Sequence, residues 1–192
     1  MHLTIRKEKR ALRAQIRAEL RQMPAGERLA LSAQARELLA AQASWLNAGS
    51  ILFYAPLEQE LDVWPLLVAA LAEGKTVALP HFVEETKTYA ACQVEHLPED
   101  LKGGNFGIRE PAARCSKLLL NRLDFVLAPG IAFDLHGRRL GRGKGFYDQM
   151  LAGVRGRTCG VAFDNQIVRE IPVEPHDICV NCILTPTRWL EV

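Results

Sequence analysis

This 192-residue chain predicts a three-layer α/β/α domain with a mostly parallel central sheet. Strand-like runs alternate with helical stretches along the chain, the pattern of strands joined by crossover helices. One of them, Leu123 to Ala128, reads as a buried strand ending in the Pro129-Gly130 turn. No internal repeat, low-complexity tract or obvious linker interrupts the pattern. Residues 1–192 therefore read as one domain, long enough to bury most of its apolar surface without disulfide or metal staples.

Two helical patterns open the chain, about Leu3 to Gln22 and Ala25 to Leu46, separated by Met23-Pro24. In the first, Ile5, Leu12, Ile16 and Leu20 share one side, and Lys9 falls inside that stripe with Arg6, Arg13 and Arg17 along its border. A lysine on a packing face needs a partner. Either its stem snorkels and leaves the ammonium in water, or the helix packs over a bound anion and presents Lys9 and Arg13 to it. Strands follow at Ser50 to Ala55, Thr76 to Pro80, Tyr89 to Glu95, Asp124 to Ala128, Thr158 to Phe163 and Ile178 to Leu184. Helices lie between several of them, notably Val63 to Glu73 and Gly145 to Ala152.

Composition narrows the class. With 48% hydrophobic and 24% charged residues the chain is an ordinary globule, and no apolar run reaches the ~18 residues of a membrane span. The start lacks an apolar signal core, so the expected location is the cytoplasm. A net charge of +2 gives no argument for nucleic acid. Five cysteines cannot all pair, which favours reduced thiols. Cys179 and Cys182 form the one CxxC; on a strand over Ile178 to Leu184 their sulfurs would point to opposite faces and not share a zinc ion.

The chemistry concentrates between Pro129 and Asp148. Gly141, Gly143 and Gly145 alternate with Arg142 and Lys144, after Arg138 and Arg139 and before Phe146, Tyr147 and Asp148. Glycines let backbone N–H groups approach an anion closely, and the cations add the charge that a polyphosphate demands. The P-loop pattern fails, since Arg138 takes its first glycine position and Gly145 its hydroxyl position; the dinucleotide GxGxxG fails because the spacing is GxGxG. A site beyond the carboxyl end of a strand follows. A merely basic surface hairpin is the plainer alternative.

From Pro129 to Asp148 the chain resembles the signature of the 5-formyltetrahydrofolate cyclo-ligase, or methenyltetrahydrofolate synthetase, family. Further pieces fall in the family's order: Lys9 to Arg13, Tyr54-Ala55-Pro56 with Glu60 and Asp62, Phe106 to Pro111, Gly160 to Phe163 with Gln166, and His176-Asp177. The resemblance implies the same three-layer fold and ATP-dependent conversion of 5-formyltetrahydrofolate to 5,10-methenyltetrahydrofolate, a ligase forming a C–N bond. It implies ATP contacts by Lys9, Arg10, Ala11, Leu12 and Arg13, and by Arg139, Leu140, Gly141, Arg142, Gly143, Lys144, Gly145, Phe146 and Tyr147, with Arg142 and Lys144 carrying the transfer. Folate would meet Ala55, Glu60, Phe106 and Tyr147. Asp148 and Asp177 match positions associated with Mg2+, while Asn181 stands where a further Asp is common. His136 and His176 receive no role, and the oligomeric state stays open.

Two other functions compete on the same residues. A sugar-phosphate isomerase or acyl-CoA transferase would also place an anion loop after a strand, but would not depend on nucleotide. An RNA- or nucleotide-binding module would use the Arg-rich first helix and the loop as one basic surface. Acids at Glu8, Glu19 and Asp148 interrupt that stripe, so the expected partners are small molecules rather than nucleic acid or membrane.

Overall fold

A computed structural model describes residues 2–104 and 108–192. Three helices come first: α1 (His2–Gln22), α2 (Ala25–Ala40) and α3 (Ala43–Leu46). Then come β1 (Ser50–Leu52), α4 (Trp64–Ala72), the hairpin strands β2 (Thr76–Val83) and β3 (Thr88–Val94), the ribbon β4 (Leu101–Gly103) with β5 (Arg109–Pro111), and β6 (Lys117–Leu118). The second half holds β7 (Phe125–Pro129), β8 (Ala132–Asp134), β9 (Arg139–Leu140), α5 (Phe146–Leu151), β10 (Arg157–Val161), β11 (Ile167–Val168), β12 (Cys182–Leu184) and β13 (Trp189–Glu191).

The eight-stranded sheet runs β13-β12-β10-β7-β1-β2-β3-β6. Its centre, β12 to β2, is parallel, and β13, β3 and β6 close its edges antiparallel. Residue parity divides the core. Ile51, Phe125, Leu127 and Leu184 join Ile16, Leu20, Leu39 and Trp45 of the first three helices on one face. Leu52, Val126, Ala128 and Ile183 join Met150 and Leu151 of α5 and Phe133 of β8 on the other. Burial on both faces is why these strands are apolar at most positions rather than at alternate ones.

Several boundaries differ from expectation. The second helix breaks at Ala41-Gln42, where the Gln42 side chain donates to the Leu38 carbonyl at 2.9 Å. The break lets α3 drop Trp45 into the core, edge-on to Phe53 at 5.9 Å and Phe125 at 6.3 Å. The strand begun at Ser50 stops at Leu52, because after the Phe53 amide bonds to Ala78 the chain turns away through Pro56. The last predicted strand shrinks to Cys182–Leu184, since the Val180 amide bonds instead to the Gly137 carbonyl at 2.8 Å. Strand geometry therefore does not separate the CxxC thiols; burial does, with Cys179 exposed and Cys182 buried. The short strands β4, β5, β6, β8, β9, β11 and β13 carried too few residues to show a period.

The chain leaves β1 for β2 on one side and returns to β7 on the other. The carboxyl ends of β1 and β7 therefore diverge over a crevice, the place where sheets of this kind hold ligands.

Candidate active site

A cleft of about 410 Å³ opens there. Tyr54 and Ala55 enter it after β1, Pro129 and Gly130 end β7 beside it, and the 141–148 segment forms its opposite wall. Buried Gln166 fixes the β7 turn by donating to the Gly130 and Ile131 carbonyls, each at 3.0 Å. The β8–β9 hairpin is held by Asp134, whose buried carboxylate accepts the His136, Arg138 and Ile171 amides at 2.9, 3.1 and 2.9 Å. Arg138 turns to Glu170 at 3.3 Å and does not line the cleft.

Past β9 the loop needs its glycines. Gly143 and Gly145 sit at φ of +105° and +70°, the left-handed region that glycine enters at no steric cost. A Cβ on Gly141 would stand 2.9 Å from the Arg139 guanidinium. Helix α1 docks on this loop through Arg13, whose Nε donates to the Gly141 carbonyl at 2.8 Å. Burial and the neighbouring Arg17 charge lower the Arg13 pKa, against the opposing pull of Asp177 and Glu174.

Three cations of the site are already paired. Arg139, with a side chain 2% exposed, bonds to Asp148 at 2.8 Å and to the Pro129 carbonyl at 3.2 Å, over the ring of Tyr147 at 5.6 Å. Lys9, also buried, reaches Glu174 at 3.1 Å and Asp177 at 2.5 Å. The partner that the stripe of α1 required is thus a pair of carboxylates, not open water. Arg142 crosses to Glu60 at 2.6 Å. Hydrogen bonding from Lys9 holds the Glu174 carboxyl below its usual range, and burial followed by the Glu60 charge pushes the Tyr147 hydroxyl well up. Tyr147 is therefore a neutral donor at physiological pH.

Of the residues expected at the site, Ala55, Glu60, Arg139, Gly141, Arg142, Lys144, Gly145, Phe146, Tyr147 and Asp148 all line the cleft. Lys144 lies 5.7 Å over the Phe146 ring, which packs on Phe82 and Tyr89. Arg13 braces the loop and Lys9 holds the 174–177 turn, while Leu12 packs against the core and Leu140 is buried. Arg10 and Ala11 are exposed on the far side of α1 and are not brought in. Phe106 lies outside the described residues. Arg17, Tyr89, Arg109 and Glu110 line the cleft without having been expected there. Only Arg109 and Glu110 had a signal, their place beside the Phe106 motif.

The amide of Ile178, the residue after Asp177, donates to Asp148 at 3.5 Å. Ligand atoms of Glu174, His176 and Asp177 lie within 4.8 Å of one another. Asp148, Glu174 and Asp177 offer the carboxylate oxygens that a hard divalent cation such as magnesium takes, and Lys9 holds the last two of these acids here. Asn181 is occupied elsewhere: its Oδ1 accepts the Thr158 amide and hydroxyl at 2.8 and 2.9 Å and ties β10 to β12.

Comparison with known proteins agrees with this geometry. Residues 5–186 match the model of the 5-formyltetrahydrofolate cyclo-ligase family. A Haemophilus influenzae 5-formyltetrahydrofolate cyclo-ligase is 33% identical over 181 residues, covering 90% of this chain and 96% of its own. The Mus musculus enzyme of that name is 28% identical, covering 95% of each. The solved Aquifex aeolicus 5,10-methenyltetrahydrofolate synthetase superposes with a TM-score of 0.86 at 32% identity, over 95% of this chain and 92% of that one. With its cation-lined glycine loop at the sheet's switch point and a family match over nearly its whole length, this chain belongs to the 5-formyltetrahydrofolate cyclo-ligase family.

Proposed function

We propose that this protein converts 5-formyltetrahydrofolate to 5,10-methenyltetrahydrofolate at the expense of ATP, releasing ADP and phosphate. The observation that carries the reading is the 141–145 loop, whose Gly141, Arg142, Lys144 and Gly145 line the same cleft as Glu60 and Tyr147. A formamide carbonyl is a poor electrophile, because its nitrogen donates into it, and its oxygen is a poor leaving group. Phosphorylating that oxygen removes both obstacles. N10 then attacks the activated carbon and loses its proton, and the oxygen departs with the phosphate.

Such a transfer asks the protein for positioning and charge neutralisation. Arg142 and Lys144 neutralise the transferring phosphoryl group, the loop amides fill the gaps between them, and Arg139 holds the loop to β7. Lys9 and Arg13 complete the nucleotide side from α1. Glu60 takes the donor-rich edge of the pterin, Tyr147 donates to the substrate from its neutral hydroxyl, and Ala55 lines the wall. Asp148 and Asp177 would hold Mg2+, which when bound shields the charge of the triphosphate. The protein acts as one domain in the cytoplasm, a setting that suits its five free cysteines.

Purified protein mixed with ATP, magnesium and 5-formyltetrahydrofolate should yield methenyl product and ADP in equal amounts. Lys144→Ala should lose most of this turnover, because a charge-assisted contact to phosphate is worth about 1.5–3 kcal/mol, while its exposed position leaves folding intact. No ADP from folded wild-type protein would overturn the proposal.

A further inference from the structure

The arginines lining the cleft are not alike. Arg139 and Arg142 hold Asp148 and Glu60. Among the described residues, no carboxylate stands within ion-pair distance of Arg17 or Arg109. Arg17 sits beside Arg13, which grips the Gly141 carbonyl, so its charge belongs to the glycine-loop side. Arg109 comes from a different element. It opens β5, which pairs with β4 in a two-stranded ribbon apart from the main sheet.

The Arg109 guanidinium lies 5.6 Å from the ring centroid of Trp64, the first residue of α4. The indole face attracts the exposed guanidinium and holds it near the cleft wall, so part of its side-chain freedom is already lost before it takes a carboxylate. Ile108, Tyr89 and Phe146 share the cleft with it and offer an apolar, aromatic surface. A preset, unpaired cation at the edge of an aromatic wall is suited to a ligand with a flat body and an anionic end. Folate has that shape: a pterin and an aminobenzoyl ring, then glutamyl carboxylates.

We propose that Arg109, fixed on Trp64, anchors the glutamyl carboxylate of the folate and so sets the preference for glutamylated substrates. The assignment rests on the cyclo-ligase reading above. It makes Arg109 a specificity residue that never touches the reacting atoms, so its removal should raise KM for folate and leave kcat and the KM for ATP alone.

The test compares wild type with Arg109→Ala and Arg109→Lys on three substrates: 5-formyltetrahydrofolate, its triglutamate, and the 5-formyltetrahydropteroyl amide, which keeps N10 and lacks the glutamate. Arg109→Ala should lose on the order of 10- to 100-fold in kcat/KM on both glutamylated substrates, through KM, and about nothing on the amide. Arg109→Lys should recover part of the loss. Equal losses on all three substrates, or no loss on any, would overturn the assignment while leaving the enzyme reading intact. If the wild type makes no methenyl product from any of them, the enzyme reading fails and this assignment with it.

Discussion

Replacing Arg139 by methionine tests the packing logic of the site most severely. The side chain is 2% exposed, its partner Asp148 is 13% exposed, and a second donor goes to the Pro129 carbonyl. Removing the cation strands a mostly buried carboxylate, a change that costs about 3–5 kcal/mol. Asp148 keeps the long Ile178 contact at 3.5 Å and some water, so the lower figure applies. For a chain of this size about 3 kcal/mol is a drop in Tm of roughly 6–12 °C. Deleting both charges in Arg139→Met with Asp148→Leu should restore most of the loss, because no unpaired charge remains. Thermal and urea unfolding of the four proteins give the coupling energy directly. A fall of less than about 1 kcal/mol in the single variant, or strict additivity in the double, would refute the claim that this pair is buried and coupled.

Gly160→Ala should destabilise by about 1–3 kcal/mol, since the new Cβ would meet the Phe133 ring at 2.4 Å and that ring is wholly enclosed. A lower urea midpoint with unchanged slope is the expected readout. Acid should also weaken the fold in a defined window. The His96 and Glu95 amides, then Arg114, hold the Asp100 carboxyl at about 2 against an ordinary 3.8. A depressed carboxyl stabilises fully above its unfolded value, and that share is lost as pH falls toward 2; Glu174, lowered by Lys9, acts in the same direction. Asp100→Asn should flatten the stability profile below about pH 4, and an unchanged slope there would count against the role of those amides.

The fold was legible where a residue pattern runs long enough to show its period. The α1 stripe, the helix at α4 and the parallel strands could be read because each exposes or buries a repeating set. Strands of two or three residues cannot show alternation, so β8 and β9, which build the loop's base, were invisible. Trp45 broke the second helix through a tertiary demand that no local propensity encodes. The site was legible where chemistry is crowded into one segment, from Arg139 to Asp148. Arg17 and Tyr89 stayed hidden, because a basic residue on a helix border and a tyrosine in a strand are ordinary until the sheet brings them together. Lys9 gave a true warning through its misfit on an apolar face, but only the fold could say that Glu174 and Asp177, far along the chain, answer it.

That warning also explains how the cleft tolerates so much positive charge before any nucleotide arrives. Lys9, Arg139 and Arg142 each hold an internal carboxylate, but at different depths: 6%, 2% and 49% exposed. Depth decides which pair can be exchanged. Parting a buried pair costs several kcal/mol, whereas an exposed one is worth about 0–1 kcal/mol and opens easily. On the proposed reading, Lys9 and Arg139 therefore serve as fixed struts that keep α1, β7 and the loop in register, while Arg142 can leave Glu60 for a phosphate. The same movement releases Glu60 for the pterin. Because one contact ties up a group meant for each ligand, whichever ligand binds first frees the partner group for the other, and the two affinities must be linked by one coupling free energy.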